Sequence, residues 1–175
     1  FYNNRLTAIP DGVYRLPSLL EIDLFHNQIE KLAPEFVNWK KLHTLYLSHN
    51  RLLELPENLN ALTSLAGLYL WDNRLTRLPE NLGAMTSLKY LRVNHNYLRA
   101  LPASIVNLDL EEIDISHNFI EAMPPELFNY SKLKIFAITD NPWNPATREL
   151  LKTKVAELRA REVFVHMSEE DEQKH

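Results

Sequence analysis

Histidine is the residue type whose spacing first suggests chemistry in this sequence, because four of its seven copies recur at one position. Each of the four directly precedes an asparagine: His26, His49, His95 and His117. A zinc site needs ligands that converge on one ion at about 2.0–2.1 Å. Side chains that recur at a constant long interval point in parallel from successive turns of the chain instead. We therefore predict that this column is a structural repetition and that the chain holds no metal ion.

Carboxylates offer a second possible chemistry, since two acids on one face can act as a general acid and base. Glu111 and Glu112 are neighbours on a predicted strand, so their side chains point to opposite faces. Glu112 and Asp114 share a face, but nothing around them in the sequence would perturb a pKa, which favours a solvated acidic patch. The motifs G-x-G-x-x-G, G-x-x-x-x-G-K-S/T, H-E-x-x-H and G-x-S-x-G are absent. We predict a protein that is not an enzyme and binds no cofactor.

The composition narrows the class of protein further. There is no cysteine in the chain, which excludes a disulfide-stapled domain and a cysteine nucleophile and favours a reducing compartment. The formal charge is −4 and lies mostly in the C-terminal stretch SEEDEQKH, so the remainder is nearly neutral and no nucleic-acid surface is expected. No apolar run reaches the roughly 18 residues of a membrane span. We expect a cytoplasmic protein, with a secreted or surface protein of a bacterium as the alternative.

The strongest signal in the sequence is a period of asparagines. They stand at positions 4, 27, 50, 73, 96, 118 and 141, in steps of 23 residues with one step of 22. Apolar residues recur around each of them, and around Asn73 these include Leu68, Leu70, Leu75 and Leu78. The alternation before each asparagine predicts a strand with one buried face, and a buried asparagine amide can satisfy backbone groups of adjacent turns. One unit cannot bury its own leucines, so the units must stack into one core.

This arrangement resembles the leucine-rich repeat family, whose pattern is L-x-x-L-x-L-x-x-N-x-L. The resemblance covers residues 1 to about 143, and the stretch LPENLNALTSL is similar to the repeats of cytosolic signalling scaffolds and bacterial repeat proteins. It implies an α/β fold: a leucine-rich-repeat solenoid, which is a right-handed superhelix with a curved parallel β-sheet on its concave face. The resemblance says little about function, because one fold serves many functions.

The period divides the chain into three segments. Residues 1–143 form an array of about seven repeats, the first of them partial. Residues 144–167 form a C-terminal cap helix and an edge segment. Residues 168–175 form an acidic tail, for which we predict disorder.

Both ends of a stack of repeats need a cover. At the C-terminal end, Asn144 suits a helix N-cap and Pro145 suits the first helical position. The apolar residues that follow recur at spacings of four and three and predict one buried helix face: Leu151, Val155 and Leu158. The stretch EVFVHM predicts the edge segment. No comparable cap precedes Phe1, so we expect missing sequence or another subunit to cover that end.

The register also predicts which side chains face outward from the concave sheet: those six, four and two residues before each asparagine. Aromatic residues and one arginine fall together there on three successive strands: Tyr46, Tyr69, Trp71, Tyr90 and Arg92. Carboxylates flank them on both sides, among them Asp23, Glu112 and Asp114. Tyr, Trp and Arg are enriched at interface hot spots, so we predict that these residues bind a partner. The alternative is that the aromatic residues brace one another across strands. Phe25 is predicted to be isolated and to pack locally.

We therefore predict a non-enzymatic protein-interaction module, or scaffold, that binds a protein partner through its concave aromatic surface. The flanking carboxylates favour basic residues on that partner, the rings favour apolar ones, and the carboxylates disfavour nucleic acid. Two alternatives stay open. In the first, the chain is the recognition domain of a larger enzyme, such as a GTPase, kinase, ubiquitin ligase or nuclease. In the second, it is a structural subunit of a large assembly.

Overall fold

The chain forms one sheet of seven parallel strands in a computed structural model that describes residues 1–168. The strands are neighbours in space in their order along the chain: β1 (Glu21–Asp23), β2 (Thr44–Tyr46), β3 (Gly67–Tyr69), β4 (Tyr90–Arg92), β5 (Glu112–Asp114), β6 (Ile135–Ala137) and β7 (Phe164–His166). The two α-helices are α1 (Asp11–Tyr14) and α2 (Pro145–Ala160). Within residues 1–168, no helix is long and apolar enough to cross a membrane. The predicted solenoid with a parallel sheet is confirmed.

Each strand alternates as its sequence predicts, with the middle side chain buried in the core. The middle residues are all apolar and lie in register from strand to strand: Ile22, Leu45, Leu68, Leu91, Ile113, Phe136 and Val165. They belong to one continuous apolar core. The opposite side of the sheet is the concave face, where the first and third residues of each strand lie.

The ladder asparagines are the seven asparagines of the period, and the side chains of all but Asn4 join neighbouring coils. Asn73 donates from Nδ2 to the carbonyl oxygens of Leu47 (2.9 Å) and Leu70 (3.0 Å). Its Oδ1 accepts from the backbone N–H of Leu52 at 3.0 Å. Leu47 and Leu52 belong to the preceding coil, so one side chain satisfies backbone groups of two coils. The same pattern recurs at Asn27, Asn50, Asn96, Asn118 and Asn141.

The back of the solenoid consists of short 3₁₀ helices: Pro34–Asn38, Leu59–Ala61, Leu82–Ala84, Ala103–Asn107 and Pro125–Asn129. Two of them pack closely at Gly83, whose N–H donates to Ser104 Oγ at 2.9 Å. A Cβ at Gly83 would lie 1.9 Å from the carbonyl oxygen of Ser104. Glycine is therefore the residue that lets these two coils approach.

The C-terminal cap begins as its sequence predicts. Asn144 Oδ1 accepts from the N–H of Thr147 at 2.8 Å, and Pro145 is the first residue of α2. The apolar face of the helix is buried against the last coils: Leu151, Val155 and Leu158. β7 then pairs with β6 as the predicted edge segment. The predicted acidic tail, residues 168–175, lies outside the described residues except for Ser168.

The first coil is held by an aromatic pair beneath its short helix. Tyr14 of α1 stacks on Trp39, with ring centroids 5.0 Å apart. The indole N–H of Trp39 donates to the carbonyl oxygen of Val13 at 3.1 Å. By contrast, three large apolar side chains of this coil are more than half exposed: Phe1 (56%), Tyr2 (59%) and Leu20 (61%).

Candidate functional site

The rim position, which is the residue directly before each ladder asparagine, has a left-handed backbone. Six consecutive rim residues have φ between 52° and 56°: His26, His49, Asp72, His95, His117 and Asp140. Apart from glycine, few residue types adopt this region readily, and Asn, Asp and His are several-fold enriched in it. The repeated backbone conformation therefore gives a physical reason why histidine and aspartate alternate in this column.

Rim side chains contact one another along the column. His49 Nδ1 pairs with the carboxylate of Asp72, and His117 Nδ1 lies 3.0 Å from Oδ2 of Asp140. The rings of His95 and His117 stack with centroids 4.1 Å apart. In the part of the chain that the structure describes, no group of three or more His, Asp or Glu side chains is arranged to hold a metal ion.

The concave face carries a stacked tyrosine pair on the second and third of its seven strands. The rings of Tyr46 and Tyr69 are 4.8 Å apart between centroids and inclined by 17°. Both residues are half-buried, so part of their surface stays accessible. The ring of Tyr69 extends over Gly67, where an added Cβ would lie 2.9 Å from Tyr69 Cε2. The absence of a side chain at position 67 thus makes room for the stacked arrangement.

Both phenols of the tyrosine pair remain protonated at physiological pH. Burial, together with the nearby carboxylates of Glu21 and Asp23, raises the pKa of Tyr46. Burial, followed by the neighbouring Tyr46 and Glu112, raises the pKa of Tyr69. Each hydroxyl group therefore keeps its proton and can donate a hydrogen bond to a ligand.

Arg92 lies beside the tyrosine pair and is bound to Glu112. Its guanidinium carbon is 5.8 Å from the ring centroid of Tyr69, within cation–π range, and its Nε donates to Glu112 Oε1 at 2.5 Å. Burial opposes the charge on Arg92, but the hydrogen bond and charge of Glu112 raise the pKa of the guanidinium. The Glu112 side chain is only 12% exposed, against 43% for Arg92. Glu112 is thus a fixed partner of Arg92 and is poorly accessible from solvent.

The aspartates that were predicted to flank the patch also end their strands. Asp23 Oδ1 accepts from the N–H of Phe25 at 2.9 Å, and Asp114 Oδ1 accepts from the N–H of Ser116 at 3.0 Å. Asp23 is exposed and Asp114 is half-buried. Their second carboxylate oxygens extend the acidic character of the concave face.

Trp71 belongs to a different cluster from the tyrosine pair. Its ring contacts His49 edge-on at 4.0 Å between centroids, and Phe25 lies 5.8 Å away on the other side of Ser48. Phe25 also stacks on Tyr2 at 5.5 Å. The prediction that Phe25 is isolated is therefore wrong. The small Ser48 separates Phe25 from Trp71 along the column, which lets the two large rings meet although a whole coil lies between them.

The third predicted column, two residues before each asparagine, is not uniformly exposed. Three of its members are buried: Ser48 (2%), Ser116 (4%) and Thr139 (7%). Burial at this position does not require an inward side chain, because Ser48 lies between the larger Phe25 and Trp71 of the same column. Phe25, Trp71 and Asn94 are half-buried.

The structure thus divides the predicted site residues into two groups. Tyr46, Tyr69, Arg92 and Glu112 form one set of contacts, which we call the tyrosine platform. Tyr90 lies beside it, with Gly67 and Glu112 as its Cα partners on the adjoining strands. Trp71 joins the second set, to which Phe25 and His49 also belong although they were not among the predicted site residues. The order large, small, large at positions 25, 48 and 71 is the signal that could have revealed them.

A repeated coil, one parallel strand in each coil and a ladder of buried asparagines define the class of repeat solenoids. Sequence profiles described as leucine rich repeat match residues 2–52, 63–118 and 109–130. These matches cover more than half of the chain, and it therefore belongs to the leucine-rich repeat family. No curated protein sequence matches it.

Solved structures of similar fold come from bacteria and plants. A leucine-rich repeat protein of Leptospira interrogans is 33% identical over 79% of this chain, with a TM-score of 0.75. The receptor-kinase ectodomain GASSHO1/SCHENGEN3 of Arabidopsis thaliana, in complex with CASPARIAN STRIP INTEGRITY FACTOR 2, is 29% identical over 77%, with a TM-score of 0.66. The Arabidopsis receptor kinase HAESA, in complex with the peptide hormone IDA and the co-receptor SERK1, is 25% identical over 91%, with a TM-score of 0.73. The chain spans 36%, 17% and 28% of their respective lengths.

Proposed function

We propose that this chain is a non-enzymatic protein-interaction module that binds a peptide segment of a protein partner on its concave face. The observation that carries the proposal is the tyrosine platform. Two rings stacked at 4.8 Å stay partly exposed on adjacent strands of the concave sheet, with a guanidinium beside them. Aromatic residues and arginine are the types that dominate binding energy at protein interfaces. The complexes of the two plant receptor kinases with protein and peptide partners support the class of ligand.

The charges around the platform define the chemistry of the partner. Asp23 is exposed on one side, and Asp114 is half-buried on the other. Arg92 is already bound to Glu112, so an acidic group on a partner would have to compete with that carboxylate. Basic and apolar side chains fit this surface, with apolar groups on the rings and cationic groups toward the aspartates.

The test is a selection of displayed random peptides on the wild-type chain, followed by affinity measurements on three proteins. Wild type is compared with Tyr46→Ser/Tyr69→Ser and with Leu53→Ser, a control in which an apolar residue that is 58% exposed elsewhere is changed. We expect peptides rich in basic and apolar residues, at least tenfold weaker binding to the tyrosine variant and unchanged binding to the control. Trp71→Ala should cost about 2–4 kcal/mol of binding energy if its cluster is part of the same contact.

Two results would contradict this proposal. One is that the selected peptides bind a folded tyrosine variant as tightly as they bind wild type. The other is that the wild-type chain enriches no peptide family at all. A thermal melt of the same proteins tests the bracing alternative, because rings that mainly brace the sheet would lower the melting temperature when removed and leave binding intact.

A second candidate function is that of a recognition domain within a larger enzyme. The chain spans 36% or less of the three similar structures described above, and two of them are parts of receptor kinases. Determination of the gene sequence on both sides of residues 1–175 tests this candidate. A reading frame that continues into a GTPase, kinase, ubiquitin ligase or nuclease domain would support it.

A third candidate, a structural subunit of an assembly, is favoured by one observation. Phe1, Tyr2 and Leu20 expose large apolar surfaces on the first coil. If a subunit covers them, cross-linking in the native assembly should join that coil to a partner while the tyrosine platform stays reactive.

We propose a cytoplasmic location on the basis of the cysteine-free sequence, and cell fractionation tests it.

A further inference from the structure

A second surface runs along the rim of the solenoid, beside the ladder asparagines. The residue directly after each asparagine forms a column there: Arg5, Gln28, Arg51, Arg74, Tyr97 and Phe119. A groove of about 940 Å³ lies against the first five members of this column. It continues into a second groove of about 450 Å³ at Tyr97 and Phe119, since Asp72, Asn73 and Tyr97 line both.

The first part of this rim groove is basic. Arg5, Arg51 and Arg74 are all exposed, and within residues 1–168 none of the three has a carboxylate within 4.0 Å. Two other arginines of the chain are paired with carboxylates, Arg77 with Glu57 and Arg92 with Glu112. The only carboxylate among the described lining residues of this part is Asp72, which is already paired with His49. The three guanidinium groups are thus free to bind an anionic ligand.

The second part of the rim groove is aromatic. The rings of Tyr97 and Phe119 stack with centroids 6.2 Å apart and an inclination of 7°. They are 52% and 53% exposed, among the most exposed large apolar side chains of the described chain. A flat apolar surface of this kind favours an aromatic or aliphatic side chain of a ligand.

We propose that the rim groove binds an extended acidic peptide, with its carboxylates on the three arginines and an apolar side chain on the Tyr97/Phe119 pair. Five coil steps of ~4.8 Å separate Arg5 from Phe119, or roughly 24 Å. An extended peptide rises about 3.3 Å per residue, so about eight residues span the groove. The carboxylate–guanidinium pair is strong and directional, and it is the natural partner for unpaired arginines.

The lining of the rim groove favours a peptide over a sulfated or phosphorylated polymer. Asp72 and Asp140 lie among the lining residues, where they would repel a ligand of uniformly high negative charge. The exposed aromatic pair carries no positive charge and presents apolar ring surface, so it matches a ligand with both acidic and apolar groups. This ligand is opposite in charge to the one proposed for the concave face, so the two surfaces select different partners and the inference does not depend on the tyrosine platform.

The experiment measures fluorescence polarisation of labelled ten-residue peptides with four glutamates at one end and Phe-Leu at the other, in both orders. Six proteins are compared: wild type, Arg51→Gln/Arg74→Gln, Arg51→Lys/Arg74→Lys, Tyr97→Ser/Phe119→Ser, Tyr46→Ser/Tyr69→Ser and the control Arg99→Gln/Arg148→Gln. The control removes the same charge from exposed arginines that do not line the groove. Thermal melts establish that each variant is folded, and Arg51→Lys/Arg74→Lys retains the charge at the tested positions.

We expect one peptide order to bind, with at least tenfold loss of affinity in the Arg51/Arg74 variant and less than twofold loss in the control. The Tyr97/Phe119 variant should lose several-fold affinity for this peptide and none for a peptide in which glycines replace Phe-Leu. Equal losses in the two arginine pairs, or no binding of either order at millimolar concentration, would overturn the proposal. A heparin oligosaccharide that binds more tightly than the peptides, in a manner that depends on Arg51 and Arg74, would also overturn the proposal. Unchanged affinity in Tyr46→Ser/Tyr69→Ser would show that this surface acts independently of the concave face.

Discussion

Residues at the rim position are constrained first by the backbone and only then by their side-chain contacts. Their φ lies between 52° and 56°, a conformation that costs most L-residues roughly 1–2 kcal/mol. His and Asp tolerate it better than most residue types do. The pairing of His49 with Asp72 and the stacking of His95 on His117 are consistent with side chains that the backbone has brought into one column.

The backbone constraint leads to a prediction at His95, which has φ of 53°. His95→Asn and His95→Val both remove the stacking on His117, but only asparagine suits the left-handed region. We expect His95→Val to be less stable than His95→Asn by about 1–2 kcal/mol, because a β-branched side chain clashes in this conformation. Urea unfolding of the two variants measures the difference. Equal stabilities would show that the φ value does not determine the residue type.

At the scale of elements, the ladder asparagines connect short strands that have few hydrogen bonds of their own. Each strand contains three residues, and the buried amides add bonds between coils to those that the backbone makes within and beyond the strands. A buried backbone group left without a partner costs about 1–3 kcal/mol. The ladder is therefore expected to be more sensitive to substitution than any surface residue.

This expectation is tested by Asn73→Ala and Asn4→Ala. Asn73→Ala leaves two carbonyl oxygens and one N–H in the core without this hydrogen-bond partner. It should lower the free energy of unfolding by about 3 kcal/mol or more. Asn4 is exposed and donates only to the carbonyl oxygens of Phe1 and Tyr2, so its replacement should cost less than about 1 kcal/mol. Chemical denaturation of the two variants against wild type gives both values. Similar losses at both positions would argue against the inter-coil bonds as the cause.

The sequence alone was sufficient for the elements and insufficient for part of the site. The asparagine period and the alternation before it predicted the strands, their register, the inter-coil amides and the N-cap at Asn144, because these depend on local geometry that repeats. The cluster of Phe25 with Trp71 was missed, because it depends on how far two rings reach across the small Ser48. The pairing of Arg92 with Glu112 was also missed. The sequence places opposite charges near each other, but it does not show which of them pair and which stay accessible to a partner.

At the scale of the whole molecule, the solenoid has one core in which each coil contacts mainly its neighbours. Stability in such a structure is approximately a sum of local terms, so damage at one end acts mainly on the coils next to it. α2 covers the last coils through Leu151, which is fully buried. The cap therefore controls how easily the C-terminal coils open.

Leu151→Ala tests this control. We expect a loss of about 2–5 kcal/mol in the C-terminal part, because the substitution leaves a cavity under α2. Hydrogen exchange should accelerate at the amides of β6 and β7, while amides of β2 and β3 stay protected. Lys152→Ala, at an exposed position of the same helix, should leave the exchange rates unchanged. Uniform acceleration in all strands of the Leu151 variant would mean that the molecule unfolds as one cooperative unit.

The short coil between Asn96 and Asn118 shows where this architecture tolerates a change of length. The missing residue falls near Leu108, on the convex side, after the 3₁₀ helix Ala103–Asn107. Strand register continues across it without a slip, since Tyr90 still faces Glu112 and Arg92 still faces Asp114. The positions of both candidate surfaces are fixed relative to the ladder asparagines. Residues of the tyrosine platform precede an asparagine in the sequence, and residues of the rim groove follow one. Insertions and deletions on the convex side can therefore accumulate without moving either surface, whereas duplication of a whole coil would lengthen both by one strand spacing at once.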